Sequence, residues 1–428
     1  MRKVLIVCYY WPPAGGPGVQ RWLKFVKYLP EFDIEPIVFV PENPNYPILD
    51  KSLEEEISGH IRVIKQRIFE PYGLASFFSR KKTKRISSGI IQKHQKQSLL
   101  ERGLLWIRGN FFIPDARKYW VKPSVNAISK LVTEEKIQTI ITTGPPHSVH
   151  LIGLQLKVKF DLQWIADFRD PWTSIGYHKK LKLTKASRQK HKFLEKQVLN
   201  SADQVVVTSN TTRTEFEKLT SKPVEVITNG FDGDKISTKL DEKFTISHIG
   251  SLLTDRNPTV LWQVLQELCD ENSDFKKKLA IQLIGVVGDG VKESLTKHQL
   301  ANHFTDLGYV SHSEILTFQA KSQVLLLLEI DSEETKGIIP GKLFEYLNAR
   351  RPILALGPKN WEASSMVDKT KSGSTFTMDD KSDLKNVLLE WFEAFQKGEL
   401  FSNAIGIEKY SRRELTKKLA NAITWESS

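Results

Sequence analysis

The sequence predicts an α/β chain of two Rossmann-like domains, each a doubly wound parallel sheet. Short apolar runs alternate with amphipathic helical stretches along the 428 residues. Most runs end in Gly, Asp, Asn or Ser, the residue types of loops that leave strand ends. The runs also fall into two sets, divided by the turn-rich stretch Thr228-Asn229-Gly230-Phe231-Asp232-Gly233-Asp234.

The first set contains Val4 to Tyr9, Pro36 to Val40, Ile137 to Thr142, Trp164 to Ala166, Gln204 to Thr208 and Val224 to Ile227. The second contains Thr245 to Ile249, Ala280 to Ile284, Val324 to Leu328 and Ile353 to Leu356. Val324 to Leu328 has no polar residue, so it reads as a strand buried on both faces. Residues 71–123 break the alternation. They carry the basic run Arg80 to Arg85, then Lys93 and Lys96, beside Leu104, Leu105, Trp106, Ile107, Phe111, Phe112 and Trp120. A basic and aromatic segment of this kind lies either on an anionic membrane surface or, as a solvated helical insertion, against the core. A second basic stretch, His178 to Lys196, has the same two readings.

A chain of this length supports two ordinary domains, and 40% hydrophobic residues with 10 Trp and 22 Phe give both a core. Cys8 and Cys269 each sit in an apolar run and read as buried thiols, which excludes a disulfide scaffold. Met1 to Tyr10 reads as a first strand and has no cleavage site of a signal peptide. No apolar run reaches the roughly 20 residues that span a bilayer. The expectation is a cytoplasmic protein, either free or peripheral at the inner face of the membrane. The formal charge of +12 and pI near 9.3 call for an anionic partner: nucleic acid, an acidic membrane face or a phosphorylated substrate.

Several strand-end loops carry chemistry. After the first strand comes Gly15-Gly16-Pro17-Gly18, which lets a ligand approach the backbone, with Arg21 on the following helix placed for a phosphate or an acceptor. The spacing is not the G-x-G-x-x-G of dinucleotide sites. Gly144-Pro-Pro-His147-Ser148 and Asp167-Phe168-Arg169-Asp170 follow later strands. Two carboxylates flanking Arg169 either orient sugar hydroxyls and move protons or form a salt bridge that shapes the loop. No His/Cys/Asp/Glu spacing matches a metal ligand set, so no metal is expected. In the second half, Gly250 permits close approach and Arg256 reaches toward a diphosphate. Tyr309 lies in the loop Gly308 to Glu314, where Ser311 or Ser313 is the candidate helix cap. Pro340-Gly341-Lys342-Leu-Phe-Glu345-Tyr346 opens a helix with Lys342 and Glu345 on one face. A cation, a carboxylate and free helix amides suit a nucleotide diphosphate, the carboxylate taking the ribose diol.

The order of these motifs resembles retaining glycosyltransferases of family 4, of the bacterial surface-polysaccharide type, over nearly the whole chain. The resemblance rests on the Gly15-Gly16 loop, Asn229-Gly230-Phe231-Asp232, Gly250 with Arg256, Leu283-Ile284-Gly285, Gly308-Tyr309-Val310 with Glu314, and Pro340 to Tyr346 with Arg351-Pro352. It implies the GT-B fold of two facing domains: residues 1–232 for the acceptor, with the insertion at about 71–123, residues 233–405 for the donor, and a C-terminal helix, 406–428, crossing back to the first domain. The implied donor is a nucleotide-sugar. Gly16, Arg256 and Lys342 would contact its diphosphate, and Glu345, Gly250, Tyr309 and Gly341 its nucleoside. Arg21 and Arg169 would meet the acceptor, and Asp167, Asp170 and His147 are the candidate catalytic groups. No cofactor is implied beyond the nucleotide-sugar substrate. The family's E-x7-E pattern is incomplete, because Gly337 stands where its first Glu would be. The usual contact to the donor sugar is then not expected: either Glu333 or Glu334 substitutes after a rearrangement of the loop, or the sugar is read through backbone amides.

The implied function is transfer of a sugar, with retention, to a lipid-linked or polysaccharide acceptor in capsule, O-antigen or exopolysaccharide synthesis. The partners are then the donor, that acceptor and an anionic membrane surface. The alternative is a GT-B epimerase or inverting transferase. A nucleic-acid-binding protein would carry a recognisable basic and stacking module, and the sequence contains none.

Overall fold

The structure is a computed structural model that describes residues 1–70, 99–179, 181–233, 236 and 238–424. The basic run Arg80 to Arg85, Lys93 and Lys96 lie outside the described residues. The chain divides into two units, Met1–Asn229 with Arg412–Ser428, and Gly230–Ser411. The division falls after residue 229 where the sequence suggested 232, and the returning segment starts at Arg412 where it suggested 406.

The first unit holds a parallel sheet of seven strands: β1 (Arg2–Cys8), β2 (Ile34–Glu42), β3 (Arg62–Arg67), β4 (Thr139–Gly144), β5 (Gln163–Phe168), β6 (Gln204–Val207) and β7 (Val224–Val226). Their order is β3-β2-β1-β4-β5-β6-β7. The second unit holds six parallel strands: β8 (Phe244–Ile249), β9 (Leu279–Ile284), β10 (Phe304–Gly308), β11 (Val324–Leu328), β12 (Ile353–Leu356) and β13 (Gly373–Phe376). Their order is β10-β9-β8-β11-β12-β13. Both units therefore follow the doubly wound order 3-2-1-4-5-6, in which the chain reverses direction of build beside the first strand. The switch lies between β1 and β4 in one unit and between β8 and β11 in the other. Ligands of such sheets bind at the carboxyl ends of those strands.

The central strands are apolar because both faces are covered: β11 is buried at every position, as is β4. The apolar runs located all of these. Three strands had no such signal, namely β3, β10 and β13, and all three are sheet edges. Their side chains are mostly half-buried or exposed, as in Arg-Val-Ile-Lys-Gln-Arg of β3. An edge strand needs no continuous apolar run and is often charged to discourage further pairing.

The segment Arg412–Thr424 is a helix whose Leu415, Leu419, Ala420 and Ile423 join the core of Val19, Trp22 and Val26 in the first unit. Arg413 pairs with Glu31 at 2.7 Å on its rim. Within the former insertion, Leu99–Phe111 and Lys118–Glu135 are helices. Cys8 and Cys269 are buried free thiols, and no helix among the described residues is long and apolar enough to cross a membrane.

Candidate functional site

In the second unit, the chain leaves β8 through Gly250, whose φ of 105° favours glycine. A Cβ there would also lie 3.1 Å from the Lys342 Nζ. Gly285, after β9, has φ 116°, and its Cβ would fall 2.8 Å from the Gly250 carbonyl oxygen. The two glycines thus let adjacent strand-end loops touch and leave the Lys342 ammonium against bare backbone.

Lys342 begins the helix Lys342–Ala349, with Gly341 in helical conformation before it. The helix starts two residues after Pro340, which supplies its carbonyl to Leu343 N–H at 3.0 Å. The Lys342 ammonium lies 3.2 Å from His248 Nε2. His248 Nδ1 lies 3.0 Å from the Leu326 carbonyl, so the buried imidazole donates through Nδ1 and accepts from Lys342 through Nε2. Burial, then the Lys342 charge, holds His248 well below its usual range, consistent with that neutral tautomer. Burial pushes the Lys342 ammonium down to about 7, the Arg256 charge adds to this, and Glu329 and Glu345 oppose it.

Arg256 donates from Nε and Nη2 to the two oxygens of Glu329, at 3.0 and 3.2 Å. Glu329 follows β11, is buried, and also accepts the Ile330 N–H at 2.8 Å. Arg256 stays one-third exposed. Glu345 is half-buried and accepts from the Gln319 side chain at 2.8 Å. Tyr346 is fully buried, and its hydroxyl oxygen accepts the Ile249 N–H at 3.1 Å, tying the helix to the end of β8. Lys342, Arg256, Gly250 and Glu345 therefore gather around the switch point of this sheet. Two cations with one buried carboxylate between them favour an anionic guest. Tyr309 is 90% exposed on the loop after β10. Ser311 caps the next helix in a capping box with Glu314, which resolves the choice between the two serines. Gly337 brings no side chain, and Glu333 is an exposed partner of Lys336 at 2.6 Å.

His248, Glu329 and Gln319 have no assigned role in the sequence reading, yet they hold Lys342, Arg256 and Glu345 in place. The signal for two of them was a polar residue at the last turn of an apolar run: His248 within Ile-Ser-His-Ile and Glu329 directly after Leu328.

The first unit treats its predicted residues differently. Asp167 and Arg21 are fully buried and joined at 3.0 Å. The other Asp167 oxygen accepts from Trp22 Nε1 at 2.9 Å and from the Thr143 hydroxyl at 2.7 Å. Arg21 also donates to the Thr228 carbonyl at 2.7 Å. Neither can meet a substrate, so the catalytic reading of Asp167 and the acceptor reading of Arg21 give way to an internal salt bridge. Its partner is Arg21, not the neighbouring Arg169. Arg169 donates from Nε to Gly144 O at 3.2 Å and from Nη2 to the Pro145 carbonyl, and lies 5.8 Å from the Tyr10 ring centre. A Cβ at Gly18 would overlap it, so the Gly-rich loop is cut to admit Arg169. Arg169 shapes the two loops, and only its partly exposed edge remains for an acceptor. Gly16, φ 107°, has open space where a Cβ would stand.

His147 and Asp170 meet at one place. Both line a cavity of about 340 Å³, with Tyr10, Arg108, Phe112 and Trp172 among its other walls. His147 is buried and stacks on Trp172, ring centres 5.0 Å apart and ring planes nearly parallel. Neither of its ring nitrogens has a hydrogen-bond partner among the described residues. Burial first, then the neighbouring His150 and Arg169, holds it well below its ordinary range. Burial raises the Asp170 carboxyl, partly countered by Arg169. The cavity thus presents an uncharged base and a carboxyl group, neither consumed by the fold, beside aromatic walls. Groups of three or more His, Cys, Asp or Glu poised for a metal are absent among the described residues.

Residues 18–235 match the family model described as Glycosyltransferase Family 4. No curated protein matches the chain. Among solved structures, TarM aligns over 99% of this chain and 99% of its own, with TM-score 0.60 and 13% identity. A TarM variant from S. aureus, in complex with Fondaparinux, alpha-GlcNAc-glycerol and UDP, aligns over 99% and 100%, with TM-score 0.60 and 12% identity. HepE from Anabaena, in complex with UDP-glucose, aligns over 99% and 95%, with TM-score 0.56 and 15% identity. At these identities the likeness establishes the fold, two Rossmann-like domains of the GT-B type.

Proposed function

The chain belongs to glycosyltransferase family 4, and from that premise we propose that it moves a sugar, with retention, from a nucleotide-sugar held on the second unit to a lipid-linked or polysaccharide acceptor held on the first. The Lys342–His248 and Arg256–Glu329 arrangement carries this reading. It leaves two positive groups at a sheet switch point, beside a glycine backbone that a diphosphate can approach. Glu345, three residues along the same helix face, takes the ribose diol, with Gly341 and Tyr309 completing the nucleoside end. HepE and the TarM variant, solved with UDP-glucose and with UDP, support a uridine nucleotide as the first donor to test.

In the proposed reaction the bond from the anomeric carbon to the diphosphate breaks, and the departing phosphate oxygen takes the acceptor hydroxyl's proton. The new glycosidic bond forms on the same face. Lys342 and Arg256 stabilise the charge that grows on the leaving group. The acceptor sugar enters the cavity of the first unit, where His147 and Asp170 bind and orient its hydroxyls against the Trp172 and Tyr10 rings. No metal or other cofactor takes part. We place the reaction at the cytoplasmic face of the cell membrane, in the assembly of a cell-surface glycan.

A panel of nucleotide diphosphates in a thermal-shift assay tests the donor site. One of them raises the melting temperature, and Lys342→Ala or Glu345→Ala removes the rise. An unchanged melting temperature with every nucleotide would end this reading. A second reading, epimerisation or inversion, is favoured by Gly337, which removes the carboxylate that would hold the donor sugar. It is also supported by a TM-score of 0.54 to a putative UDP-N-acetylglucosamine 2-epimerase from Listeria monocytogenes, at 11% identity. Turnover without an acceptor, to a nucleotide-sugar epimerised in its ring, marks the epimerase, and the anomeric configuration of a transferred sugar, read by NMR, separates retention from inversion.

A further inference from the structure

Among the described residues, only one of the two apolar faces of the helix Leu99–Phe111 is packed against the fold. Leu105 and Gly109 turn inward: Leu105 is 3% exposed, and a Cβ on Gly109 would lie 2.8 Å from the Leu181 carbonyl oxygen. The Asn110 side chain ties the helix to the next basic segment, accepting the Thr184 N–H at 2.8 Å and donating to the Lys182 carbonyl at 3.3 Å. Facing outward are Leu104, Ile107 and Phe111, one stripe at helical spacing, with Trp106 beside it. Phe111 is 61% exposed and stands 5.7 Å from Trp106, ring centre to ring centre. The aromatic surface continues through Phe112 and Tyr119 to Phe69, with ring centres 6.5 and 5.8 Å apart. The Lys118 ammonium lies 5.5 Å from the Phe112 ring centre and 5.2 Å from that of Tyr119. A contiguous exposed patch of this kind marks an interaction surface.

The charge around it identifies the partner. In sequence, residues 101–135 and 170–195, whose described parts meet at Gly109 and Leu181, contain thirteen Lys or Arg against six Asp or Glu. Asp115 is itself engaged, accepting from the Ser148 N–H at 2.9 Å and hydroxyl at 2.8 Å. Lys182 and Lys185 are exposed at the same junction. A cationic rim suits either lipid or nucleic-acid phosphates, but a stripe of exposed Leu, Ile, Trp and Phe is stabilised only where there is apolar matter to enter.

We infer that this face of the first unit docks on an anionic lipid bilayer. Trp106, Ile107 and Phe111 enter the boundary between headgroups and acyl chains, and Lys118, Lys182 and Lys185 meet the lipid phosphates. Arg108 and Phe112 belong both to this surface and to the wall of the His147–Asp170 cavity. Docking therefore sets the cavity at headgroup level, where a membrane-borne amphiphile presents its polar end. That last step rests on the proposed transferase reading, while the docking itself does not.

Flotation of the full chain with phosphatidylcholine vesicles, with and without phosphatidylglycerol, tests the inference. The protein floats with the phosphatidylglycerol vesicles, and added salt weakens this. Trp106→Ser, Ile107→Ser and Phe111→Ser combined reduce partitioning by about tenfold or more, as does Lys118→Glu with Lys182→Glu and Lys185→Glu. An unchanged melting temperature shows that each variant is folded, and the shift with nucleotide diphosphate reports the donor site separately. Serine variants that float like the parent would overturn the inference. So would a parent that fails to float, one that binds DNA more tightly than vesicles, or one that is a dimer which the serine variants split.

Discussion

The two units share one strand order and use the ends of their strands in opposite ways. In the first, the Asp167–Arg21 pair beside the switch point is sealed, with every carboxylate oxygen occupied and no solvent contact. In the second, Glu329 is equally buried, but its partner Arg256 emerges toward solvent, and among the described residues the Lys342 ammonium has a neutral imidazole as its one hydrogen-bond partner. A buried ion pair whose carboxylate is fully engaged fixes loop shape. A pair with one end in water, next to an under-compensated ammonium, is a receptor for charge. Equal topology thus says where a site can be, and the charge balance at strand ends says whether it binds.

The largest expected difference between the units appears in acid. His147, His150, His178 and His191 of the first unit are all held below their ordinary range by burial, His178 at about 4 and His150 at about 3. Among the described residues the second unit has one such histidine, His248. The unfolded chain binds these protons below about pH 6.5 and the folded chain refuses them, so stability is complete above that value and falls as the pH drops toward 4. Each histidine contributes at most about 1.4 kcal/mol per pH unit. Hydrogen exchange read unit by unit should show the first opening before the second as pH falls from 6.5. Simultaneous opening would break the contrast.

Asp167→Ala comes next. Leaving Arg21 buried without its partner costs about 3–5 kcal/mol, a loss of roughly 2–4 °C in melting temperature per kcal/mol. Glu329→Ala costs less, because Arg256 can turn to water. Equal costs for the two variants in thermal denaturation would remove the distinction drawn above. Smaller again is the effect on binding: Lys342→Ala weakens nucleotide diphosphate about ten- to hundredfold by calorimetry, the loss of one charge-assisted contact of about 1.5–3 kcal/mol. Asp170→Asn leaves that affinity unchanged. The smallest effect sharpens the role of the His248–Lys342 contact. With its pKa at about 7, free Lys342 loses its charge above neutrality, and affinity falls by at most about tenfold per pH unit above pH 7. Lys342→Arg abolishes that slope.

The parts of the molecule that the sequence revealed are those in which one residue type has one use. Leu325 to Leu328 can only be a covered strand, and Gly250 can only be a place where backbone is approached. Arg62 to Arg67 carries no apolar-run signal because an edge strand is stabilised by its neighbour's hydrogen bonds, which leave no trace in its side chains. Asp167, Arg169 and Asp170 were legible as a charged cluster, but not which of them would be consumed. That depends on Arg21, 146 residues away in the chain, reaching the carboxylate first. His248 escaped notice for the same reason, since its partners come from Leu326 and Lys342.

The return of Arg412–Thr424 to the first unit has a consequence for the order in which the protein can be made. Phe231 and Ser411 lie side by side where the chain enters and leaves the second unit, and the Phe231 N–H donates to the Tyr410 carbonyl at 3.1 Å. The second unit is thus a complete insertion between two parts of the first. A ribosome delivers residues 1–229 long before Leu415, Leu419 and Ile423, which cover Val19 and Trp22. During that interval the first unit carries an open apolar face, while the inserted unit can already close. Synthesis therefore delivers all of the unit that starts second before the helix Arg412–Thr424 completes the one that started first.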